Sequence, residues 1–404
     1  MFIHKKILIG ITGGIAAYKT CEIIRELKRN HAEVRVVMTK AAAEFITPLT
    51  FATLSEKSVL TEMFDDDYST TTMHIEAARW ADTVLICPAT ANTIGKIASG
   101  IADNLLTTLV MATTAPVIFC PAMNREMYAN PFYQQNVEKL KLAGYHFVQS
   151  EVGDLACGEV GWGRLADSDH IINRLKKILF CTNELRGKKV LVTAGRTEEP
   201  LDPVRFITNY SSGKMGFALA ESAALKGADV TLISGPNNLT PFDNIKYLMV
   251  QTSDQMAEAV NQELANQDVI IMAAAVVDFK PATYFNQKIK KSSLLTSINL
   301  VKTKDILRDI GKAKRGKFLV GFAVETENEL ESAAKKLTEK NLDLIVLNNP
   351  LEEGAGFGID TNIVTLIDAK GNIEKLPLMS KREIAAKIVD KVIHLMKVLP
   401  KLTH

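Results

Sequence analysis

The chain has 404 residues, of which 47% are apolar and 23% charged, and its formal net charge is +2. This length exceeds one compact core, so the composition predicts a two-domain globular protein. The near-neutral charge argues against nucleic acid or an acidic membrane as a partner, and no apolar run reaches the roughly 18 residues that span a bilayer. The five cysteines form no CxxC pair, and residues 1–14 resemble a strand and turn more than a targeting segment. We therefore expect a cytoplasmic protein with reduced thiols.

Predicted strands and helices alternate along the first half of the sequence. The runs KILIGI, EVRVVMT, TVLICPA and PVIFC predict strands, and TVLICPA is apolar throughout, as is typical of parallel strands buried on both faces. Residues 15–30 have the spacing of an amphipathic helix, and YQQNVEKLKLAG predicts a helix before the strand YHFVQ. This alternation predicts a doubly wound α/β domain.

The second half restarts the same plan. GKKVLVTAGRT (187–197) is similar to the earlier HKKILIGITGG, and DVIIMAAAV (268–276) predicts another buried strand. The restart follows the predicted helix DSDHIINRLKKILF, so the boundary falls near 181–187. We therefore expect two doubly wound, Rossmann-like α/β domains, residues 1–182 and 187–404.

Three glycines, Gly10, Gly13 and Gly14, lie at the first strand-to-helix turn. Glycines there let a phosphate approach backbone N–H groups at the positive end of a helix, although a tight turn without a ligand has them too. A dinucleotide-binding fold usually has an acid at the end of its second strand, whereas this strand ends in MTK, with Thr39 and no acid. NAD is therefore disfavoured, and a mononucleotide such as FMN stays open.

Small and hydroxyl residues follow the third predicted strand. Ala89, Thr90 and Asn92 belong to this run, which could wrap a flat polar ring but would equally cap a helix. Two other side chains could perform acid–base chemistry. His74 precedes a predicted helix, where capping is the alternative role, and Cys157 stands in the glycine-rich GDLACGEVGWGRLAD. These glycines predict a mobile flap that carries a thiol, or a surface loop with an incidental cysteine.

Several motifs, taken together, resemble known enzyme families. GGIAAYK, the HIE…WAD segment, PAMNREM and ACGEVGWGRL are similar to the phosphopantothenoylcysteine decarboxylases of the flavin-dependent cysteine decarboxylase family. NYSSGKMG, AAAVVDF, KIKK and GFAVET are similar to phosphopantothenate–cysteine ligases. Their order and the length of the chain resemble bifunctional bacterial enzymes of coenzyme A biosynthesis. Two departures, Tyr128 in place of Trp and Ala77 in place of Leu, affect packing more than chemistry.

The resemblance implies an FMN-dependent decarboxylation in the first half. Oxidation of the substrate thiol to a thioaldehyde would let the electrons left by CO2 form an ene-thiol, which the flavin then reduces. Asn124 would hold the substrate carboxylate, and Met123 and Met127 would line the pantetheine arm. His74 would serve oxidation and decarboxylation, and Cys157 would donate a proton to the ene-thiol. The predicted cofactor-binding residues are Gly10, Gly13, Gly14, Thr39, Ala89, Thr90 and Asn92.

In the second half, the resemblance implies a CTP-dependent ligation. 4'-Phosphopantothenate and CTP would give an acyl-cytidylate and pyrophosphate, and cysteine would then attack the intermediate. Lys288 would neutralise phosphate charge, although KIKK by itself is typical of a solvated basic run. Asn209 would orient the acyl-cytidylate, and Asp278 is placed to bind Mg²⁺ or a polar edge of the nucleotide.

The predicted CTP contacts come from several motifs of the second half. NYSSGKMG opens a helix through a glycine-containing turn at 213–216, so Ser212, Gly213 and Gly216 would face phosphates. The alanines of AAAVVD are small enough for a base or ribose to lie on the strand end. The full predicted set is Ser212, Ala273, Ala274, Ala275, Asp278, Lys288, Lys304, Asp305, Ile306, Leu307, Phe322, Lys336 and Lys340.

Two other functions compete with this interpretation. One is an NAD(P)-dependent oxidoreductase with two Rossmann units, against which the missing acid weighs. The other is a non-catalytic flavoprotein regulatory subunit, which would be expected to lack the cysteine flap or the asparagine motif. The resemblance also implies a homo-oligomer, a dodecamer built from flavin-domain trimers and ligase-domain dimers, with only small molecules as substrates.

Overall fold

The structure, a computed structural model, describes residues 2–63, 72–154, 158, 160–290, 297–325, 328–356 and 358–398. The chain divides into two compact units, Met1–Phe180 and Cys181–His404. Cys157, the predicted proton donor, lies outside the described residues. Among the described residues, no helix has both the length and the apolar character needed to cross a membrane.

Strands and helices alternate through the first unit. Its strands are β1 (Lys6–Ile11), β2 (Glu33–Met38), β3 (Thr83–Ala89), β4 (Val117–Pro121), β5 (His146–Phe147), β6 (Glu151–Asp154) and β7 (Val160–Arg164). After a 3-10 helix (Ile15–Lys19), its helices are α1 (Thr20–Arg29), α2 (Lys40–Ala43), α3 (Pro48–Ser55), α4 (Met73–Trp80), α5 (Ala91–Ala98), α6 (Leu105–Ala112), α7 (Arg125–Ala129), α8 (Pro131–Leu142) and α9 (Ser168–Phe180).

The first five strands form one parallel sheet in the order β2-β1-β3-β4-β5. Ile7 and Ile9 of β1 pack in the hydrophobic cluster on one face, and Leu8 packs in the cluster on the other. Both faces are therefore buried, which explains the continuous apolar runs. The strand order reverses between β1 and β3, and ligands of doubly wound sheets usually bind in the crevice at such a point. β6 and β7 pair separately as an antiparallel hairpin.

The helix predicted over 15–30 begins differently in the structure. Its first turn is a 3-10 helix, in which the Ala17 N–H donates to the Gly14 carbonyl at 3.0 Å, and α1 starts only at Thr20. The hydroxyl of buried Thr20 donates to the Cys87 carbonyl at 2.9 Å. This bond fixes the beginning of α1 against β3, and the 3-10 turn connects α1 to the loop after β1.

The second unit has a larger sheet. Its strands are β8 (Lys189–Ala194), β9 (Glu198–Pro200), β10 (Phe206–Thr208), β11 (Asp229–Ser234), β12 (Lys246–Met249), β13 (Val269–Met272), β14 (Phe279–Pro281), β15 (Leu300–Lys302), β16 (Phe318–Val324), β17 (Leu344–Asn348), β18 (Thr361–Asp368) and β19 (Ile373–Ser380). Its helices are α10 (Lys214–Leu225), α11 (Ser253–Leu264), α12 (Ile306–Lys312), α13 (Glu329–Glu339) and α14 (Lys381–Val398).

The main sheet of the second unit has the order β12-β11-β8-β13-β16-β17-β18-β19. The strands are parallel up to β17, and β18 and β19 are antiparallel. Here the order reverses between β8 and β13, so their carboxyl ends, at Ala194 and Met272, border the crevice. The pairs β9–β10 and β14–β15 lie outside this sheet.

The strand predicted over 268–276 is shorter than expected, because β13 ends at Met272. Beyond it, the Ala274 N–H donates to the Thr193 hydroxyl at 3.2 Å, and the Ala275 N–H donates to the Gly195 carbonyl at 2.9 Å. These bonds to the end of β8 replace the ladder bonds of β13. Ala273, Ala274 and Ala275, which were expected at a strand end, therefore form a connection across the crevice.

Candidate active sites

The glycine turn after β1 is shaped mainly by packing. A Cβ on Gly10 would lie 2.5 Å from Leu106 Cδ1, and a Cβ on Gly13 would lie 2.5 Å from Ala41 Cβ. At Gly14 the nearest atom, Thr90 Cγ2, is 3.8 Å away, so a side chain would find room there. Gly10 and Gly13 thus also have packing reasons, and the approach of a phosphate to this turn stays a prediction. The requirement is stricter at Gly13, where a Cβ would also lie 2.9 Å from the Ala41 backbone, than at Gly10, where the end of the Leu106 side chain could move.

Hydroxyl groups meet at the carboxyl ends of β1 and β3. The buried Thr12 hydroxyl donates to the Pro88 carbonyl at 2.7 Å and accepts the Thr90 N–H at 3.0 Å. Thr90 is the N-cap of α5, as the sequence allowed, and its side chain accepts the N–H of Thr93 at 3.4 Å. Thr12 links the two loops at the switch point. Sequence reasoning missed it, since only its partners' positions reveal its role.

The other predicted cofactor residues lie around the same sheet edge. Thr39 is the N-cap residue of α2, and its N–H donates to the Ile11 carbonyl at 3.0 Å. Asn92 is exposed in the first turn of α5. The Ala89 side chain, in contrast, is fully buried in the hydrophobic cluster. Any contact of Ala89 with a bound ring would therefore come from its backbone.

Asn124 follows β4 at the mouth of the sheet. It caps α7, since its Oδ1 accepts the Glu126 N–H at 2.8 Å. The neighbouring Met123 N–H donates to the carbonyl of Gly163 in β7 at 2.9 Å, and a Cβ on Gly163 would lie 2.3 Å from the Met123 carbonyl oxygen. The β6–β7 hairpin that flanks Cys157 therefore packs against the asparagine motif. Met127 is exposed, as a ligand-lining side chain would be.

Two aromatic rings strengthen this contact. Tyr128 of α7 stacks on Trp162 of β7, with ring centroids 6.3 Å apart, and lies tilted against Tyr133 at 5.5 Å. The tyrosine at the position noted as a departure thus has a packing role, as expected. Its ring joins the asparagine motif to the hairpin.

His74 is the second residue of α4, so it lies within the first turn of the helix and does not precede it as predicted. Its Nδ1 is buried and has no hydrogen-bond partner among the described residues. An unpartnered buried nitrogen is costly in a folded protein unless a ligand supplies its partner. Met73 beside it and Met123 beside Asn124 pack against the same hydrophobic cluster.

In the second unit, glycines crowd the turn after β8. A Cβ on Gly235 would lie 1.8 Å from the Arg196 carbonyl oxygen, and one on Gly213 would lie 3.2 Å from Gly195 Cα. Gly213 is the N-cap of α10 with φ of 80°, which favours glycine. Gly216 faces β8, where a Cβ would lie 2.5 Å from that of Ala194. Close helix–sheet packing thus requires a glycine at 216, and its approach to phosphates stays a prediction for its backbone N–H alone.

Asn209 reaches the crevice directly. Its Nδ2 donates to the Ala275 carbonyl at 3.1 Å, across 66 positions of sequence. Thr197 lies beside it, with its hydroxyl accepting the Val277 N–H at 3.1 Å. Arg196 was missed by sequence reasoning, although it directly follows the β8 turn. Its Nε donates to Glu198 at 3.2 Å and one terminal nitrogen to the Ser211 carbonyl at 3.3 Å, next to the predicted phosphate residue Ser212.

Asp278 is exposed at the end of the alanine connection. Its carbonyl accepts the Thr303 N–H at 2.9 Å, which places it beside the TKDIL segment. Lys304 lies 3.8 Å from Asp254, which also pairs with Lys280. Among the described residues no three His, Cys, Asp or Glu side chains cluster as a metal site would require. Any Mg²⁺ at Asp278 would thus take most of its oxygen ligands from substrate and water.

The remaining predicted nucleotide contacts differ in accessibility. Asp305 caps α12 and pairs with Lys340 at 3.0 Å, and Lys336 pairs with Glu325 at 2.6 Å. Ile306 is buried in the hydrophobic cluster, so its predicted contact with the nucleotide would come from its backbone. Leu307 and Phe322 are half-buried and pack against the clusters on opposite faces of the sheet.

Lys288 is exposed, and among the described residues it forms no ion pair. The next residue, in contrast, is tightly bound. The Ile289 N–H donates to Asp202 Oδ2 at 3.2 Å, and Arg205 donates to the Ile289 carbonyl at 3.2 Å. The hydrogen-bonded Arg205 guanidinium holds the pKa of Asp202 well below its usual range.

The whole chain is similar to known proteins. Residues 3–180 match the family model described as flavoprotein, and residues 185–396 match that of the DNA/pantothenate metabolism flavoprotein C-terminal domain. The coenzyme A biosynthesis bifunctional protein CoaBC of Bacillus subtilis (strain 168) is 45% identical over 400 residues, 98% of each chain. The protein of that name from Haemophilus influenzae is 44% identical over 96% of this chain and 97% of its own.

The chain belongs to the family of coenzyme A biosynthesis bifunctional proteins. It is an α/β enzyme with two activities, phosphopantothenoylcysteine decarboxylase and phosphopantothenate–cysteine ligase. The resemblance drawn from the motifs is confirmed, and neither the oxidoreductase nor the regulatory-subunit alternative is favoured. A solved C-terminal domain of a protein of this family is 41% identical and covers 54% of this chain and 100% of its own, with a TM-score of 0.47.

Proposed function

We propose that the family's two activities run here as a CTP-dependent ligation followed by an FMN-dependent decarboxylation. 4'-Phosphopantothenate would be activated as an acyl-cytidylate, captured by cysteine, and the product decarboxylated to 4'-phosphopantetheine. The observation that carries the ligation is the bond from Asn209 to the Ala275 carbonyl, because it brings two predicted contacts together at the switch point of the second sheet.

FMN fits the switch point of the first sheet. The turn offers backbone N–H groups at Gly14 and hydroxyl or amide groups at Thr39, Thr90 and Asn92, with no acid placed for a second ribose. A bound flavin supplies the reversible two-electron oxidation without which loss of CO2 would leave an unstabilised carbanion. The protein's own task is to hold the substrate beside it and to supply protons.

Asn124 would bind the substrate carboxylate through its amide, whose Oδ1 accepts the Glu126 N–H at the start of α7. A neutral donor does not hold the carboxylate by charge and so does not resist the loss of CO2. Met123 and Met127 would contact the pantetheine arm. The unpartnered Nδ1 of His74 is suited to a substrate or cofactor bond during oxidation. Cys157 would protonate the ene-thiol.

In the ligase unit, Lys288 would neutralise the charge that develops on pyrophosphate. The Asn209 amide would hold the acyl-cytidylate for attack by cysteine. Asp278 would bind Mg²⁺ together with phosphate oxygens. Lys336 and Lys340 lie at the C-terminal end of α13. Each would leave its carboxylate partner, Glu325 or Asp305, and bind a nucleotide phosphate. We also propose that the protein assembles as a homo-oligomer, a dodecamer built from flavin-domain trimers and ligase-domain dimers. Its proposed location is the cytoplasm.

One assay tests the sequence of reactions. The protein is incubated with 4'-phosphopantothenate, cysteine, CTP and Mg²⁺, and pyrophosphate, CO2 and 4'-phosphopantetheine are measured. We expect all three, with no CO2 when CTP is omitted and restored CO2 when 4'-phosphopantothenoylcysteine is supplied directly. Equal yields with ATP in place of CTP would remove the nucleotide assignment, and a colourless purified protein without a flavin absorbance band would remove FMN.

A further inference from the structure

The carboxylate of Asp202 is an unusual feature of the ligase unit, because its side chain is fully buried, with 0% exposed. Its Oδ1 accepts the N–H groups of Val204 and Arg205, each at 2.9 Å. Its Oδ2 accepts from the Arg205 guanidinium, with Nε at 3.0 Å, and from the Ile289 N–H at 3.2 Å. A buried carboxylate is stable only with such a full set of donors.

One of those donors comes from a distant segment, 87 positions along the chain. Arg205 binds the carbonyl of the same residue, Ile289, so the backbone is held on both sides of that residue. A second bond, from the Phe285 N–H to the Leu201 carbonyl at 3.0 Å, fixes the segment four residues earlier. The stretch 285–289 is therefore bound at both ends to 201–205, and Lys288 lies within it.

We propose that Asp202 is a positioning residue that holds Lys288 in place for the ligase reaction. Because Arg205 neutralises the carboxylate and all its lone pairs are used, Asp202 fixes the backbone beside Lys288 without competing for the ammonium group. An exposed lysine on an unsupported loop would lose this orientation. This inference rests on the proposed role of Lys288 and adds a residue to that site.

The test is Asp202→Asn in the full-length protein, with pyrophosphate release from CTP and 4'-phosphopantothenate as the readout. The Asn side chain would have one acceptor oxygen and one donor NH₂ group in place of two acceptor oxygens. In either orientation the NH₂ group would face N–H donors, so bonds to Arg205 are lost, together with that to Ile289 when the NH₂ group replaces Oδ2. We expect kcat for pyrophosphate release to fall roughly 10- to 100-fold, as misplaced catalytic groups do. Hydrogen exchange at Ile289 should become faster.

A matched control separates positioning from general stability. Asp368 is also a buried carboxylate of this unit, and it accepts the N–H groups of Lys370 and Asn372 at 2.9 and 3.0 Å in the β18–β19 hairpin. Asp368→Asn should lower the melting temperature but leave pyrophosphate release unchanged. Adding Asp202→Asn to Lys288→Gln should cause no further loss, because a residue that acts through Lys288 has nothing left to position.

The outcomes are distinguishable. Near-normal release by Asp202→Asn, or a loss that adds in full to that of Lys288→Gln, overturns the inference. If Lys288→Gln is impaired and Asp202→Asn is normal, the inference fails alone; if Lys288→Gln is normal, the proposed role of Lys288 fails with it. Should Asp202→Asn not fold, Ile289→Pro removes the donor from an accessible loop, with Ile289→Ala as its control. Equal release by those two variants would then overturn the inference.

Discussion

The hydroxyl of Thr12 accepts the backbone N–H of Thr90 at 3.0 Å while it donates to the Pro88 carbonyl at 2.7 Å. This one buried side chain joins the turn after β1 to the turn after β3. Those turns border the switch point of the first sheet, where the flavin is proposed to bind. The geometry of the proposed site therefore depends on a residue that would not itself contact the cofactor.

Thr12→Val should weaken flavin binding. Valine keeps the shape but removes both hydrogen bonds, so we expect the Kd for FMN to rise about fivefold to tenfold. Titration of FMN into the reconstituted apoprotein, followed by flavin fluorescence, measures this. Thr83→Val is the control, because the Thr83 hydroxyl is also buried and donates to the Pro116 carbonyl at 2.9 Å, but at the opposite end of β3. Equal FMN affinities for the two variants would contradict the prediction.

Asn124→Asp should abolish decarboxylation without unfolding the protein. Aspartate caps helices as well as asparagine does, so α7 should persist. Its charge would repel the substrate carboxylate and remove the amide donors. Asn130→Asp supplies the control, since Asn130 caps α8 in the same way, accepting the Phe132 N–H at 2.9 Å. We expect CO2 release from 4'-phosphopantothenoylcysteine to vanish in Asn124→Asp but not in Asn130→Asp. A comparable loss in both variants would mean that disturbed helix capping, and not the substrate carboxylate, causes the effect.

Cys157→Ser should separate loss of CO2 from the final reduction. A free thiol has a pKa of about 8.5 and can donate a proton at neutral pH, whereas a serine hydroxyl is a much poorer acid. Oxidation and decarboxylation precede the step that needs this proton. The variant should therefore release CO2 and accumulate an ene-thiol product with reduced flavin, which mass spectrometry and the flavin absorbance detect. A normal yield of 4'-phosphopantetheine would remove Cys157 from the mechanism.

The pH dependence of stability should report the Asp202–Arg205 pair. The pKa of Asp202 is held far below its usual range, and an unfolded aspartate titrates near ~3.9. The ionised carboxylate therefore contributes its full stability above about pH 4, and this contribution is lost as the pH falls through the folded pKa. Asn cannot titrate, so the difference in free energy of unfolding between the parent and Asp202→Asn should shrink below about pH 4. Urea unfolding of the ligase unit at several pH values measures it, and a constant difference would contradict the assignment.

Much of the fold could be predicted because its signals are local. Strands such as 6–11 and 83–89 are continuous apolar runs, and parallel strands place their carboxyl ends at one edge, so residues after those ends were expected to meet. The reason for a glycine is not local. Gly13 and Gly216 are explained by Ala41 and Ala194, which only the folded chain brings to within 2.5 Å of a Cβ.

The supporting residues of the sites were equally hidden in the sequence. Asp202 is followed by Pro-Val-Arg and looks like a turn residue, and its donor Ile289 lies 87 positions away. Thr12 contacts residues 76 and 78 positions away. Spacing along the chain carries no information on such partners. A motif therefore indicates the residues that react more readily than those that hold them.

Lys288→Gln and Asn209→Asp should stop the ligation at different points. Glutamine keeps a donor but removes the charge that stabilises departing pyrophosphate, a contact worth roughly 3–4 kcal/mol or 10²–10³ in rate. We expect pyrophosphate release and ligation to fall by that factor, with flavin content and decarboxylation of supplied 4'-phosphopantothenoylcysteine unchanged. Asn209→Asp loses the donor to the Ala275 carbonyl and should still release pyrophosphate. It should accumulate an acyl-cytidylate that cysteine captures poorly.

Lys290→Gln distinguishes a positioned ammonium from a solvated basic run. Lys290 has the same charge two positions away, but it lies outside the stretch 285–289, which is bound at both ends to 201–205 and contains Lys288. If the charge acts only through the general field, both variants should lose activity equally, and added salt should weaken the parent's activity to the same level. If position matters, Lys290→Gln should retain pyrophosphate release within about twofold of the parent, since only the ammonium of Lys288 is proposed to act on the phosphates. If Lys288→Gln releases pyrophosphate at a normal rate, KIKK is a solvated basic run and the proposed role of Lys288 is wrong.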